Sequence, residues 1–109
     1  MTGKLGGKVA IVTGGGQGVG RGIALALAKE GAAVAIPGRT LAKCERTVAE
    51  IEGLGGQGLA LACNVSRRDE VDATVEAVVA RFGTVDILVN NAHTSNPQVP
   101  LAETSDKDM

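Results

Sequence analysis

Short apolar runs alternate with longer amphipathic segments along the chain. Val9-Ala10-Ile11-Val12 is uninterrupted and closed by Thr13-Gly14, the pattern of a strand buried on both faces. An Ala- and Leu-rich helix is predicted from about Val19 to Glu30, with Ile23 and Leu27 on one face and Gly31 placed to end it. Ala32 to Ile36 reads as a second buried strand. Thr40 can cap a second helix whose apolar residues Leu41, Cys44, Val48 and Ile51 fall at helical spacings, with Gly53, Gly55 and Gly56 terminating it. Leu59 to Cys63 is a third, weaker strand. Ser66-Arg67-Arg68-Asp69 resembles a capping box with Asp in place of the usual Glu or Gln. The helix it opens carries Val71, Val75, Val78 and Phe82 as a stripe and stops at Gly83, and Val85 to Val89 is the fourth strand.

Such alternation predicts a single α/β domain, a doubly wound parallel sheet of four strands with three crossover helices. A strand order 3-2-1-4 would leave the fourth strand at an open edge. After Asn90 the pattern breaks down: residues 94–109 hold Thr94-Ser95-Asn96-Pro97 and Pro100, then a polar run, Glu103 to Asp108, that reads as the opening of an uncompleted helix.

Composition narrows the class. The 109 residues include 16 glycines without an every-third-residue period, and 44% are hydrophobic, which excludes collagen-like and disordered chains. A net charge of -1, with no basic run beyond Arg67-Arg68, argues against nucleic acid or an anionic membrane as partner. Cys44 and Cys63 lack CxxC spacing and a nearby His, so no metal site is expected; free buried thiols in a cytoplasmic protein are. No leader and no membrane span are predicted, the longest apolar run being Ile23 to Ala28.

Candidate chemistry concentrates at Thr13-Gly14-Gly15-Gly16-Gln17-Gly18-Val19-Gly20, between the first strand and the first helix. Backbone amides at such a turn converge at the helix N-terminus, where partial positive charge suits a pyrophosphate. The pattern GxxxxGK[ST] fails, because Arg21-Gly22 follows Gly20, and GxGxxG misses one glycine in every register. Thr-Gly-x-x-x-Gly-x-Gly fits, with Thr13, Gly14, Gly18 and Gly20. The plainer alternative is a glycine-rich turn that only lets a helix pack close to a strand.

With this loop, Asn64-Val65 after the third strand and Asn90-Asn91-Ala92-His93 after the fourth, the chain resembles the short-chain dehydrogenases/reductases, over nearly its whole length. The resemblance implies the N-terminal portion of a Rossmann-like, NAD(P)-binding domain spanning residues 1–109. Gly14 to Val19 would cradle the pyrophosphate. The Asn64 amide oxygen would accept a hydrogen bond from the adenine amino group; alternatively Asn64 is only a turn residue before Ser66. Val65, Asn91 and Ala92 would line the adenosine and the nicotinamide ribose, and Asn90 would tie strands together. His93 stands where the family places glycine and is read as a neighbour of the cofactor rather than an acid or base.

Cofactor choice follows from charge. The stretch Ile36-Pro37-Gly38-Arg39-Thr40 has no acid to hold a ribose diol and one arginine able to bind a 2′-phosphate, so NADP(H) is expected over NAD(H), unless Arg39 is merely solvated. The resemblance further implies hydride transfer to or from a small carbonyl or secondary alcohol, in a full-length form that is a homo-oligomer. The family's catalytic Tyr-x-x-x-Lys has no counterpart, since the chain has no Tyr, and no catalytic residue is assigned. The chain is therefore read as an N-terminal fragment. The alternatives are a non-catalytic dinucleotide-binding module and a truncated product without activity.

Overall fold

The structure is a computed structural model that describes residues 3–91. Its elements are β1 (Val9–Thr13), α1 (Gly18–Lys29), β2 (Ala33–Gly38), α2 (Leu41–Gly53), β3 (Gly58–Ala62), α3 (Arg68–Phe82) and β4 (Ile87–Asn90). The strands form one parallel sheet in the order β3-β2-β1-β4, the doubly wound, Rossmann-like arrangement that the alternation predicts.

Helices cover both faces. On one, α1 and α2 bury Ala24, Ala28, Cys44 and Ile51 against Val12, Val34 and Ile36. On the other, Val78 of α3 meets Val9, Ile11 and Ala35, with Phe82 packed alongside. Every residue of β1 is buried, as an uninterrupted apolar run requires when both faces are covered. Full burial of a side chain such as Ile36 or Ile51 contributes roughly 1.5–3 kcal/mol. The turns Gly31 and Gly55 close α1 and α2 through paired backbone bonds, with Ala32 N donating to Leu27 O and Gly56 N to Ile51 O.

Several local expectations are corrected. The buried seam of α1 is Gly20, Ala24 and Ala28, while Ile23 and Leu27 are only partly buried. The helix lies too close to the sheet for larger side chains to stand between them. On α3 the buried positions are Thr74 and Val78, and Val75 is exposed. No capping box forms at Ser66: the N-cap is Arg67, without a side-chain capping bond, and the Ser66 hydroxyl turns back to Asn64. Thr40 occupies the N-cap of α2, but its side chain makes no capping bond either. The second strand runs on through Pro37 to Gly38. Register with β1 stops at Ala35 while that with β3 continues to Gly38, so a residue lacking an N–H is tolerated there. The fourth strand begins at Ile87, because Asp86 instead brackets the start of β1: its carboxylate accepts from Val9 N (2.9 Å) and its own N–H donates to Val9 O (2.8 Å).

Both cysteines are buried and free. Among the described residues no helix is long and apolar enough to cross a membrane, and no cluster of His, Cys, Asp or Glu could hold a metal ion.

Candidate functional site

The carboxyl ends of β1, β2, β3 and β4 open into one cleft of about 780 Å³. The β1–α1 turn forms one wall, with Gly14, Gly16, Gln17, Gly18 and Val19; the β2–α2 turn, Pro37 to Thr40, forms a second; Asn64, Val65 and Ser66 after β3 form a third, with Asn91 after β4. Crevices at this end of an open parallel sheet, where the strand order reverses, are where ligands bind.

The β1–α1 turn is built for close approach. Gly14 and Gly18 both have left-handed backbones, φ 69° and 59°, which a side chain would strain. Gln17 takes the N-cap of α1 in an extended conformation, makes no side-chain capping bond, and no acidic residue occupies the first turn. The first amides of the helix are thus left without a side-chain acceptor, with the positive end of the helix dipole behind them. Thr13 and Gly20 stand behind this surface and fix it. Thr13 Oγ1 accepts from Asn91 N (2.8 Å) and lies within reach of Val89 O and Asn90 Oδ1, stitching β1 to β4. At Gly20, a Cβ would overlap the Gly14 carbonyl oxygen and come within 2.7 Å of Asn91 Nδ2.

The β3–α3 loop is tied by Glu70 and Ser66, neither of which was expected to act at the site. Glu70 of α3 accepts from Asn64 N (2.7 Å). Ser66 donates to Asn64 Oδ1 through both its backbone N–H (3.0 Å) and its hydroxyl (2.6 Å). The Asn64 amide oxygen is therefore engaged inside its own loop.

Two cations flank the cleft. Arg39 Nη2 lies 3.5 Å from Asn64 Oδ1, and Lys43 Nζ donates to Gln17 Oε1 at 2.7 Å, reaching from α2 to the β1–α1 turn. Each is held by a neutral amide. By contrast, Arg21 pairs with Glu50, and Arg67 with Asp69 and Glu70. No carboxylate lines the cleft among the described residues. Cys44 and Cys63 border it from within the protein, and burial pushes the Cys44 thiol up, keeping it protonated and unreactive.

The structure thus gathers Gly14, Gly16, Gln17, Gly18, Val19, Arg39, Asn64, Val65 and Asn91 around one cleft, with Thr13, Gly15 and Gly20 in the supporting layer. Ala92 and His93 lie outside the described residues. Sequence reasoning missed Lys43, Ser66 and Glu70. The only signal for Lys43 was its place one turn beyond Arg39 at the start of α2.

The short chain dehydrogenase family model matches residues 8–109, and the chain belongs to that family. It is 46% identical over 86 residues to the short-chain dehydrogenase/reductase homolog YusS of Bacillus subtilis (strain 168), covering 78% of this chain and 79% of that one. To the 7alpha-hydroxysteroid dehydrogenase of Escherichia coli (strain K12) it is 38% identical over 103 residues, 92% of this chain but 40% of that enzyme. A solved 7alpha-hydroxysteroid dehydrogenase, complexed with NADH and 7-oxo glycochenodeoxycholic acid, superposes with a TM-score of 0.82 at 38% identity, over 88% of this chain and 39% of that one. The chain thus spans about 40% of the length of these two dehydrogenases.

Proposed function

We propose that this chain carries the dinucleotide-binding part of a short-chain dehydrogenase/reductase that moves hydride between NADP(H) and a small carbonyl or secondary alcohol. The observation that carries the reading is the uncapped start of α1 facing a cleft whose flanking cations, Arg39 and Lys43, are paired only with neutral amides. Gly14 to Val19 would take the pyrophosphate, Asn64 and Val65 would border the adenosine, and Asn91 would lie toward the nicotinamide ribose. Ala92 and His93 belong to the same proposed set. When bound, the dinucleotide supplies the hydride chemistry; this chain's residues bind and orient it.

NADP(H) preference rests on charge. A 2′-phosphate beside Arg39 and Lys43 meets two cations and no carboxylate, whereas a ribose diol finds no acidic partner. The relative bound to NADH shows that family membership does not dictate the choice. Titration of the chain with NADPH and NADH, followed by calorimetry, tests it. NADPH should bind about tenfold more tightly, and Arg39→Gln and Lys43→Gln should each erode that ratio several-fold, charge-assisted hydrogen bonds contributing ~1.5–3 kcal/mol. Equal affinities would overturn the preference, and no binding of either would overturn the dinucleotide site.

A second reading is a non-catalytic dinucleotide-binding module. Absence of turnover together with tight NADPH binding would support it. We also place the protein in the cytoplasm, supported by its two free buried thiols, and propose a homo-oligomeric full-length form.

A further inference from the structure

The hydrogen bonding of Asn64 determines how the cleft reads a base. A carbonyl oxygen has two lone pairs, and Asn64 Oδ1 receives the Ser66 N–H at 3.0 Å and the Ser66 hydroxyl at 2.6 Å, with Arg39 Nη2 a further 3.5 Å neighbour. The amide cannot be turned over, because the Ser66 backbone N–H is obligatorily a donor and needs the oxygen facing it. What remains is Nδ2, which has no hydrogen-bond partner among the described residues. Asn64 lines the cleft, so the polar group this side chain has available for a ligand there is a donor and not an acceptor.

An adenine amino group is itself a donor and finds no acceptor at this side chain. A 6-oxopurine carries an acceptor at the same position and a donor at N1, whereas adenine offers Nδ2 only the ring nitrogens N1 and N7 that flank its amino group. We propose that the base subsite does not select adenine: it accepts a 6-oxopurine dinucleotide, with hypoxanthine in place of adenine, as readily as the adenine cofactor, and Asn64, oriented by Ser66, is the residue that sets this tolerance. The inference rests on the dinucleotide reading above, with the adenosine placed against Asn64, but not on the 2′-phosphate preference.

The test is calorimetric titration of the full chain with NADPH, NADH and the hypoxanthine counterpart of each. The expected result is that adenine is favoured by less than threefold within each pair. Asn64→Asp places a second acceptor oxygen where Nδ2 stands and should shift the ratio tenfold or more toward adenine. Ser66→Ala releases one lone pair of Oδ1 while keeping the backbone N–H, and should shift it several-fold the same way. Should the unaltered chain favour adenine threefold or more, the inference is overturned while the dinucleotide reading stands. Loss of all binding in the unaltered chain overturns both. If Asn64→Asp and Ser66→Ala bind dinucleotide with the ratio unmoved, Asn64 is not the determinant.

Discussion

At the scale of single residues, two neighbouring glycines of α1 have opposite roles. Gly20 sits where a methyl group would collide with the Gly14 carbonyl and the Asn91 amide, both of them parts of the cleft wall. Gly22, two positions on, has open space around it inside the same helix. Gly20→Ala should therefore destabilise the fold by about 1–3 kcal/mol, as overpacking does, whereas Gly22→Ala should stabilise it by about 0.5–1 kcal/mol through helix propensity. Urea unfolding of the two variants checks this, and equal effects would contradict it. The glycine turn was legible in the sequence because its geometry is local: the residues that make it are consecutive. Hydrogen-bond partners were not, since Lys43 meets Gln17 across 26 positions and a donor's choice among acceptors leaves no mark on spacing. Asn64 and Ser66 are two positions apart, yet the pattern Ser-x-x-Asp suggested a cap, and the Asx-type turn that replaced it uses the same residue types.

At the scale of elements, α1 and α2 are clamped by a paired fork: Arg21 Nε donates to Glu50 Oε1 at 2.7 Å, and Nη2 contacts Oε2. Arg21 adjoins the glycine turn, so the clamp holds the start of α1 beside α2, whose Cys44 borders the cleft together with its N-cap residue Thr40. Arg21 holds the Glu50 carboxyl below the usual carboxylate range. Because the folded-state value is depressed, the clamp's contribution is complete above the ordinary carboxylate pKa and disappears as pH falls through the lower, folded-state value. Glu50→Gln should accordingly lower the melting temperature slightly at neutral pH and flatten its decline on the acid side, and salt should shrink the difference because the pair is exposed. Identical acid profiles for the two proteins would refute the assignment. The elements themselves were legible from apolar period and glycine stops, and so was the inward face of α2, with Cys44 and Ile51 buried; those of α1 and α3 were legible only in part. Periodicity identifies bulky residues such as Ile23, while the close approach of α1 to the sheet selects small ones such as Ala24; on α3 the buried positions are Thr74 and Val78 rather than Val75.

At the scale of the whole molecule, the alternation of strands and helices made a doubly wound parallel sheet legible, while right-handed crossovers prune the strand orders without choosing among them; the order found is β3-β2-β1-β4. It makes β4 an edge among the described residues, with Leu88 67% exposed and Val75 and Val79 of α3 also bare. An apolar strand edge is a template for pairing between chains. The 109-residue chain should self-associate, and Leu88→Lys should shift its sedimentation profile toward the monomer; an unchanged profile would rule out this edge as the cause.

The small-residue seam of α1 also bears on the cost of binding. With Gly20, Ala24 and Ala28 seated against the sheet, and Thr13 fastening β1 to the end of β4, the amides of the glycine turn are aimed before any ligand arrives. An anion entering there need not order the loop that receives it, so little conformational entropy is spent and more of the contact energy appears as affinity. The glycines that look like flexibility in the sequence act, once folded, as preorganisation.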